Sequence, residues 1–447
     1  MNHKMQAAFS RQRIVVVRLL RSPLAQETVW SFVLKASYAG LTFISTVFLA
    51  RVLGAEGYGI YAYAYALVML LAMPVTAGLP NLVIRETAKG LASGRPEVVK
   101  GVWQWAGRVV TGLSLAVILI AGPLLVLWQG GLDTPAGQTM AWALALVPLM
   151  ALGNLRGAAL RGLKRIVAGQ LPEFVLRPGM FLVLIAVNVL VVGQRISAPI
   201  AMALQAMAAL LALVGAAWLL WRYTPQEVKH VSPSVDTHGW LFSSVIFALM
   251  SGFNVVNNQA STVVLGIFET PGSVGRYRVA TQVAALTSFG LQAINMVVAP
   301  RFAELWARGE KERLQRLVTQ SARVVLVFNI LLTAMFVLVG RPFFRFVFGA
   351  EFDASYFPLL VLLGGQMVNS AAGSVAFLLN MTGHERETVL WIGLAAVLNL
   401  LLNFVLVPLW GILGAAVATA VSMAAWNGLL WWRVLRRLGI NSLAFHF

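Results

Sequence analysis

The chain has 447 residues, of which 59% are apolar and 11% charged, against roughly 45 to 50% and about 25% in ordinary soluble domains. That balance excludes a soluble globular protein. The formal charge of +18, from 34 Lys and Arg against 16 Asp and Glu, does not signal nucleic-acid binding, which needs a contiguous basic face; here the cations sit in short segments between apolar runs. There is no Cys and only five His, so disulfides and thiol chemistry are excluded and no metal or other cofactor is expected.

A spanning helix needs about 20 mostly apolar residues, and twelve such windows follow one another along the chain. The first six cover residues 29–50, 59–79, 102–127, 140–160, 171–192 and 200–221. The second six cover 240–267, 277–298, 324–339, 357–379, 389–407 and 412–434. The expected fold is an all-α integral membrane protein with a basic N-terminal segment (1–28), an N-lobe (29–221), a polar linker (222–239), a C-lobe (240–434) and a tail (435–447). In the first segment Arg11, Arg18 and Arg21 combine with Phe9, Ile14, Val17 and Leu20, which suits either a basic amphipathic helix on anionic lipid or a charged tail that only sets topology.

Loops that would share a side with the N-terminus hold 24 Lys and Arg, whereas the opposite loops hold six: Arg51, Arg195, Arg276, Arg278, Arg341 and Arg345. By the positive-inside rule both termini are cytoplasmic. An internal repeat crosses the linker. Val52-Leu53-Gly54 with Gly59-Ile60-Tyr61 matches Val264-Leu265-Gly266 with Gly275-Arg276-Tyr277, and Leu160-Arg161-Gly162 matches Met381-Thr382-Gly383. Six spans per copy start and end on one side, so the repeats are parallel, an architecture of transporters.

The run from Phe48 through Arg51, Gly54, Gly57, Tyr58 and Gly59 to Tyr61, followed by Gly78-Leu79-Pro80 and Arg85-Glu86, resembles the N-terminal signature of the bacterial polysaccharide (O-antigen type) flippases. These belong to the MATE-like superfamily of multidrug, oligosaccharidyl-lipid and polysaccharide exporters. The resemblance implies two six-helix lobes around a central cavity in the bacterial inner membrane. It also implies transport of an undecaprenyl-diphosphate-linked oligosaccharide to the outer leaflet by alternating access, for O-antigen, lipopolysaccharide or exopolysaccharide synthesis. A polysaccharide polymerase and a chain-length regulator are the protein partners it suggests.

Charged groups inside apolar spans each cost about 2.5 to 3.5 kcal/mol at a helix centre, so they mark candidate sites. Lys35, Arg108, Arg156 and Arg177 qualify, and Arg85 joins them from the signature. Glu173, four residues before Arg177, is placed to pair with it. A diphosphate would satisfy the remaining cations, the planar fork of Arg suiting phosphate oxygens; snorkelling of the long stems to the interface is the alternative. Lys35, Tyr38, Thr42, Ser45 and Thr46 share a stripe, and the repeat aligns Thr42, Ser45 and Thr46 with Asn254, Asn257 and Asn258. If the first and seventh helices face each other, charge and hydroxyls oppose amides; the alternative is hydrogen bonding between packed helices. Further amides, Gln282, Gln292, Asn295, Gln366, Asn369, Asn399 and Asn403, are suited to sugar hydroxyls. Tyr61, Tyr63 and Trp103 offer stacking faces or belong to an interfacial belt.

Other readings are weaker. A cation-coupled drug exporter needs a carboxylate in the first or seventh helix, and neither has one. A lipid II flippase has two further helices. A membrane glycosyltransferase or polymerase needs neighbouring acids or a long external loop, whereas Asp133, Asp236 and Asp353 are isolated. The chain is not read as an enzyme.

Overall fold

The computed structural model describes residues 23–76, 78–193 and 196–445; the N-terminal amphipathic segment and Arg195 lie outside them. Among the described residues the chain is helical, with no strand. Helix α1 runs Pro23–Thr76 and breaks at Gly54, whose backbone (φ 67°, ψ −178°) lies in a region essentially reserved for glycine. The first and second apolar windows are therefore two arms of one folded element. The last helix, Glu385–Leu438, repeats the device at Gly411, φ 54° and ψ −128°. That it folds back follows from a contact: Nε of Arg433 meets Oε2 of Glu387 at 2.5 Å across 46 residues, a separation of about 70 Å in a straight helix.

Between these come α2 (Leu79–Ala92), α3 (Pro96–Trp128), α4 (Pro135–Gly162), α5 (Ile166–Leu171) and α6 (Arg177–Val187). Then follow α7 (Ala198–Tyr223), α8 (Gln226–His230), α9 (Thr237–Phe268), α10 (Pro271–Ala307), α11 (Lys311–Val347), α12 (Tyr356–Ala372) and α13 (Val375–Met381), with the Gly411 helix as α14. Nine of the described helical segments are long and apolar enough to cross a bilayer, so the protein is a multi-pass membrane protein. Several elements outrun their apolar windows: α11 extends beyond 324–339 at both ends, because helical hydrogen bonding continues where the side chains become polar. The 357–379 window is interrupted at Gly373 (φ 74°) between α12 and α13. The linker is not wholly irregular, since it contains α8 and ends where the Asp236 carboxylate accepts from the amide of Gly239 at 3.1 Å, capping α9.

Small residues govern the packing. α4 and α7 lie against each other with Ala143, Ala151 and Ala158 on one and Ala201 and Ala208 on the other fully buried, letting backbones approach where no hydrophobic force separates helix from lipid. In the second half α9 and α12 pack on α14, and α11 on α12. The halves meet chiefly through α1 and α10. Outward, Leu119, Leu190 and Leu338 are 71%, 82% and 81% exposed, an apolar surface that only lipid can cover.

Candidate functional site

A cavity of about 460 Å³ opens between α1, α6, α7 and α10. Its first wall is the stripe of the first α1 arm: Lys35, Tyr38, Thr42, Ser45 and Thr46 all line it. The hydroxyls donate to their own helix, Thr42 to the carbonyl of Tyr38 at 2.8 Å, Ser45 to Leu41 at 2.8 Å and Thr46 to Thr42 at 3.0 Å, which leaves their lone pairs toward the space. The second arm, folded back at Gly54, brings Tyr58, Tyr61 and Tyr65 to the same cavity. Spacings of three and four put them on one face, and they stack with ring centroids 6.3 and 6.2 Å apart. Phe181 of α6 continues the stack at 6.4 Å from Tyr61.

Three cations line this cavity: Lys35, Arg177 and Arg278. Among the described residues no carboxylate does. Arg177 is buried, with 7% of its surface exposed, and lies within electrostatic reach of Tyr38, Tyr61, Tyr65 and Glu173. Among the described residues no ion pair joins it to Glu173, contrary to the helical-spacing expectation. The reason is local: Pro172–Leu176 is a π-helical turn in which the amide of Arg177 bonds the carbonyl of Pro172, and the wider turn takes residues four apart out of line. Arg278 is a second correction. Charge counting put it in an external loop, but α10 begins at Pro271, capped by Thr270, so Arg278 sits two turns inside the helix and in the cavity wall. Arg278 is the second residue of the 277–298 window, and at that margin it reads as a loop cation rather than as a charge inside the span.

Gln282 and Gln292 from α10 and Gln205 from α7 add amides, and Oε1 of Gln205 is buried without a hydrogen-bond partner. The other predicted amides are elsewhere. Asn254 and Asn258 are exposed on α9 and do not line the cavity, while Asn257 donates to the carbonyl of Ile392 at 3.5 Å. The partner of the α1 stripe is thus α10, not the seventh predicted helix. Asn399 and Asn403 are buried within α14: Asn399 donates to the carbonyl of Ala418 at 3.5 Å and ties its two arms together, while Asn403 donates to the Asn399 carbonyl at 2.8 Å within the first arm. Asn369 donates to Gln366 at 3.3 Å within α12. Arg85 pairs with Glu86 at 2.9 Å and donates to Ser243 at 3.0 Å. Arg108 and Arg156 line a separate groove. Trp103 donates to Thr87 at 2.8 Å, and Tyr63 packs at Gly266.

One end of the cavity is shut. At the Gly54 bend, Arg51 donates to the carbonyls of Val347 and Phe346. The Glu351 carboxylate accepts from the amide of Ala55 at 2.8 Å and thereby caps the second arm, while Arg276 donates to the Glu351 carbonyl at 2.9 Å. Just beyond, the glycines matched by the internal repeat meet: a Cβ on Gly59 would fall 3.1 Å from the amide nitrogen of Gly275, and one on Gly275 would fall 3.1 Å from that of Gly59. This reciprocity is what a two-fold related pair of copies produces. Lys35 lies 19 residues before Gly54, about 28 Å along the arm, and is exposed.

Residues 24–306 match the model of the family described as polysaccharide biosynthesis protein. The chain belongs to this family. It is 26% identical over 408 residues to the probable low-salt glycan biosynthesis flippase Agl15 of Haloferax volcanii, spanning 90% of this chain and 81% of that protein. Among solved structures it is similar to an inward-facing MATE-family multidrug transporter, with a TM-score of 0.72 at 14% identity over 89% of this chain and 94% of the other. It is also similar to the lipid II flippase MurJ, with a TM-score of 0.71 at 12% identity over 91% and 87%. The relatives are named as a flippase and a transporter rather than as enzymes, and the structural likeness gives this polysaccharide biosynthesis protein a MATE-like fold.

Proposed function

We propose that the protein moves an undecaprenyl-diphosphate-linked oligosaccharide from the inner to the outer leaflet of the cytoplasmic membrane, with twelve spans in two lobes that rock around the cavity. The observation that carries this reading is a cavity wall whose described residues include three cations and no carboxylate. Two phosphates bring the charge that Lys35, Arg177 and Arg278 lack, and Arg can fork onto their oxygens. The tyrosine ladder and the free Gln205 acceptor supply stacking and hydrogen bonding for the first sugars, while the polyprenyl tail needs only to stay in the bilayer. A volume of about 460 Å³ is within the range of a compact ligand site, so a longer glycan would extend through the open end. A cationic drug would meet like charges here, and a proton or sodium ion would find no acid among the described lining residues, which disfavours drug export.

The shut end carries Arg51, Arg276 and Glu351, on the cation-poor side of the chain. Taken with the positive-inside rule this supports an inward-facing state with both termini cytoplasmic. A polymerase and a chain-length regulator acting on the delivered glycan would be the downstream partners. Purified protein in vesicles should move a fluorescent polyprenyl-diphosphate oligosaccharide to the opposite leaflet, and the double variant Arg177→Ala/Arg278→Ala should abolish the movement while remaining folded. Unchanged movement in the double variant would refute the diphosphate assignment.

A further inference from the structure

Arg108 and Arg156 lie outside the central cavity, and they lie together. Both line a groove of about 990 Å³ between α3, α4 and α7, which shares no lining residue with the central cavity. Arg108 is exposed and Arg156 half-buried. Among the described residues neither guanidinium has a hydrogen-bond, ion-pair or ring partner. Two like charges facing one slot repel, and in apolar surroundings an anion shared between them removes both the repulsion and the cost of the unpaired charges.

The groove is graded along its length. On α3 it extends from Lys100 past Arg108 to Leu115, about 22 Å of helix. At the first end the ammonium of Lys100 is already used, donating to the carbonyls of Lys229 and Val231 at 2.8 Å each, so the linker closes the groove there. At the other end Leu115, Leu152 and Ala217 make an apolar wall. The floor is bare: a Cβ added at Gly107 or Gly112 meets nothing within 4 Å. A small soluble anion would leave the apolar end empty, and a zwitterionic lipid would bring an ammonium beside its phosphate, against the two arginines. A phosphate with an alkyl chain attached satisfies both, as in other basic pockets between transmembrane helices.

We propose that this groove binds an anionic membrane glycerophospholipid, with Arg108 and Arg156 on the headgroup phosphate and one acyl chain lying over Gly112 against Leu115, Leu152 and Ala217. The site is independent of the transport cavity and of the substrate assigned to it. Native mass spectrometry of the full-length protein in detergent, titrated with phosphatidylglycerol or phosphatidylcholine, tests it. One phosphatidylglycerol should bind in preference to phosphatidylcholine, and the double substitution R108Q/R156Q should weaken it by about 10-fold or more, since it removes charge-assisted hydrogen bonds. Gly112→Leu keeps every charge, places its Cβ where nothing lies within 4 Å and favours the helix, yet should weaken the same lipid by filling the chain slot. Wild-type phosphatidylglycerol affinity in either variant would overturn the proposal. So would selective displacement of that lipid by undecaprenyl diphosphate at equal concentration, which would give the groove to the transported lipid instead.

Discussion

Arg177 and Arg278 reach the same cavity from opposite halves of the chain, and their removal should be felt in binding before anything else. Losing one charge-assisted contact costs about 1.5 to 3 kcal/mol, so Arg177→Ala should weaken a diphosphate-bearing lipid by roughly 10- to 100-fold, measured by titration of the purified protein. Arg177→Lys should fall between, because it keeps the charge and loses the fork; affinity equal to wild type would mean that a point charge suffices. Arg177 could be found from its place inside an apolar run. Arg278 could not, because it is the second residue of its apolar window and reads there as a boundary cation, whereas the helix cap at Thr270 lies eight residues before it. The tyrosines at 58, 61 and 65 carried a legible signal in their spacing, although only the bend at Gly54 turns that face toward Lys35.

At the level of single elements, the two folded helices rest on glycines that no other residue replaces without strain. Gly54→Ala should destabilise the protein by about 1 to 3 kcal/mol, seen as a lower unfolding temperature in detergent, and its Cβ would also sit 3.0 Å from the Glu351 carboxylate. Glu351→Gln keeps an acceptor for the amide of Ala55 but removes the charge, and should shift the balance toward opening at that end by about 1 kcal/mol, roughly 5-fold in population. A change in fluorescence distance between labels placed across that end would report it, and an unaltered distribution would show that the glycine contact alone holds the closure. Element boundaries followed the same logic: apolar windows marked where each helix crosses oil, but not where its hydrogen bonding stops, and neither the π-helical turn before Arg177 nor the break at Gly373 has a hydropathy signature.

Across the whole molecule the closure between α1 and α10 depends on backbone meeting backbone. A Cβ on Gly59 would lie 1.7 Å from the carbonyl oxygen of Pro271, a main-chain atom that cannot swing aside, so Gly59→Ala should force the halves apart at that end. The chain has no Cys, which allows a direct measurement. Ser45→Cys in the cavity wall should react with a membrane-impermeant maleimide from the cytoplasmic side alone in the parent, and from both sides when Gly59→Ala is added. Labelling from one side only in the combined variant would detach the glycine contact from gating.

The internal repeat, the membrane embedding and the resemblance to polysaccharide flippases were all readable in one dimension, since each depends on which residue types occur and at what intervals. The opposition of α10 rather than α9 to the α1 stripe was decided only when the helices packed. So were the use of Asn399 as a tie across the Gly411 bend and the separation of Arg108 and Arg156 from the cavity. The physical reason is that transfer from water to lipid is a property of each side chain alone, and helical periodicity fixes which side chains share a face. Whether that face meets a neighbouring helix, a cavity or the bilayer depends on contacts between segments far apart in the chain.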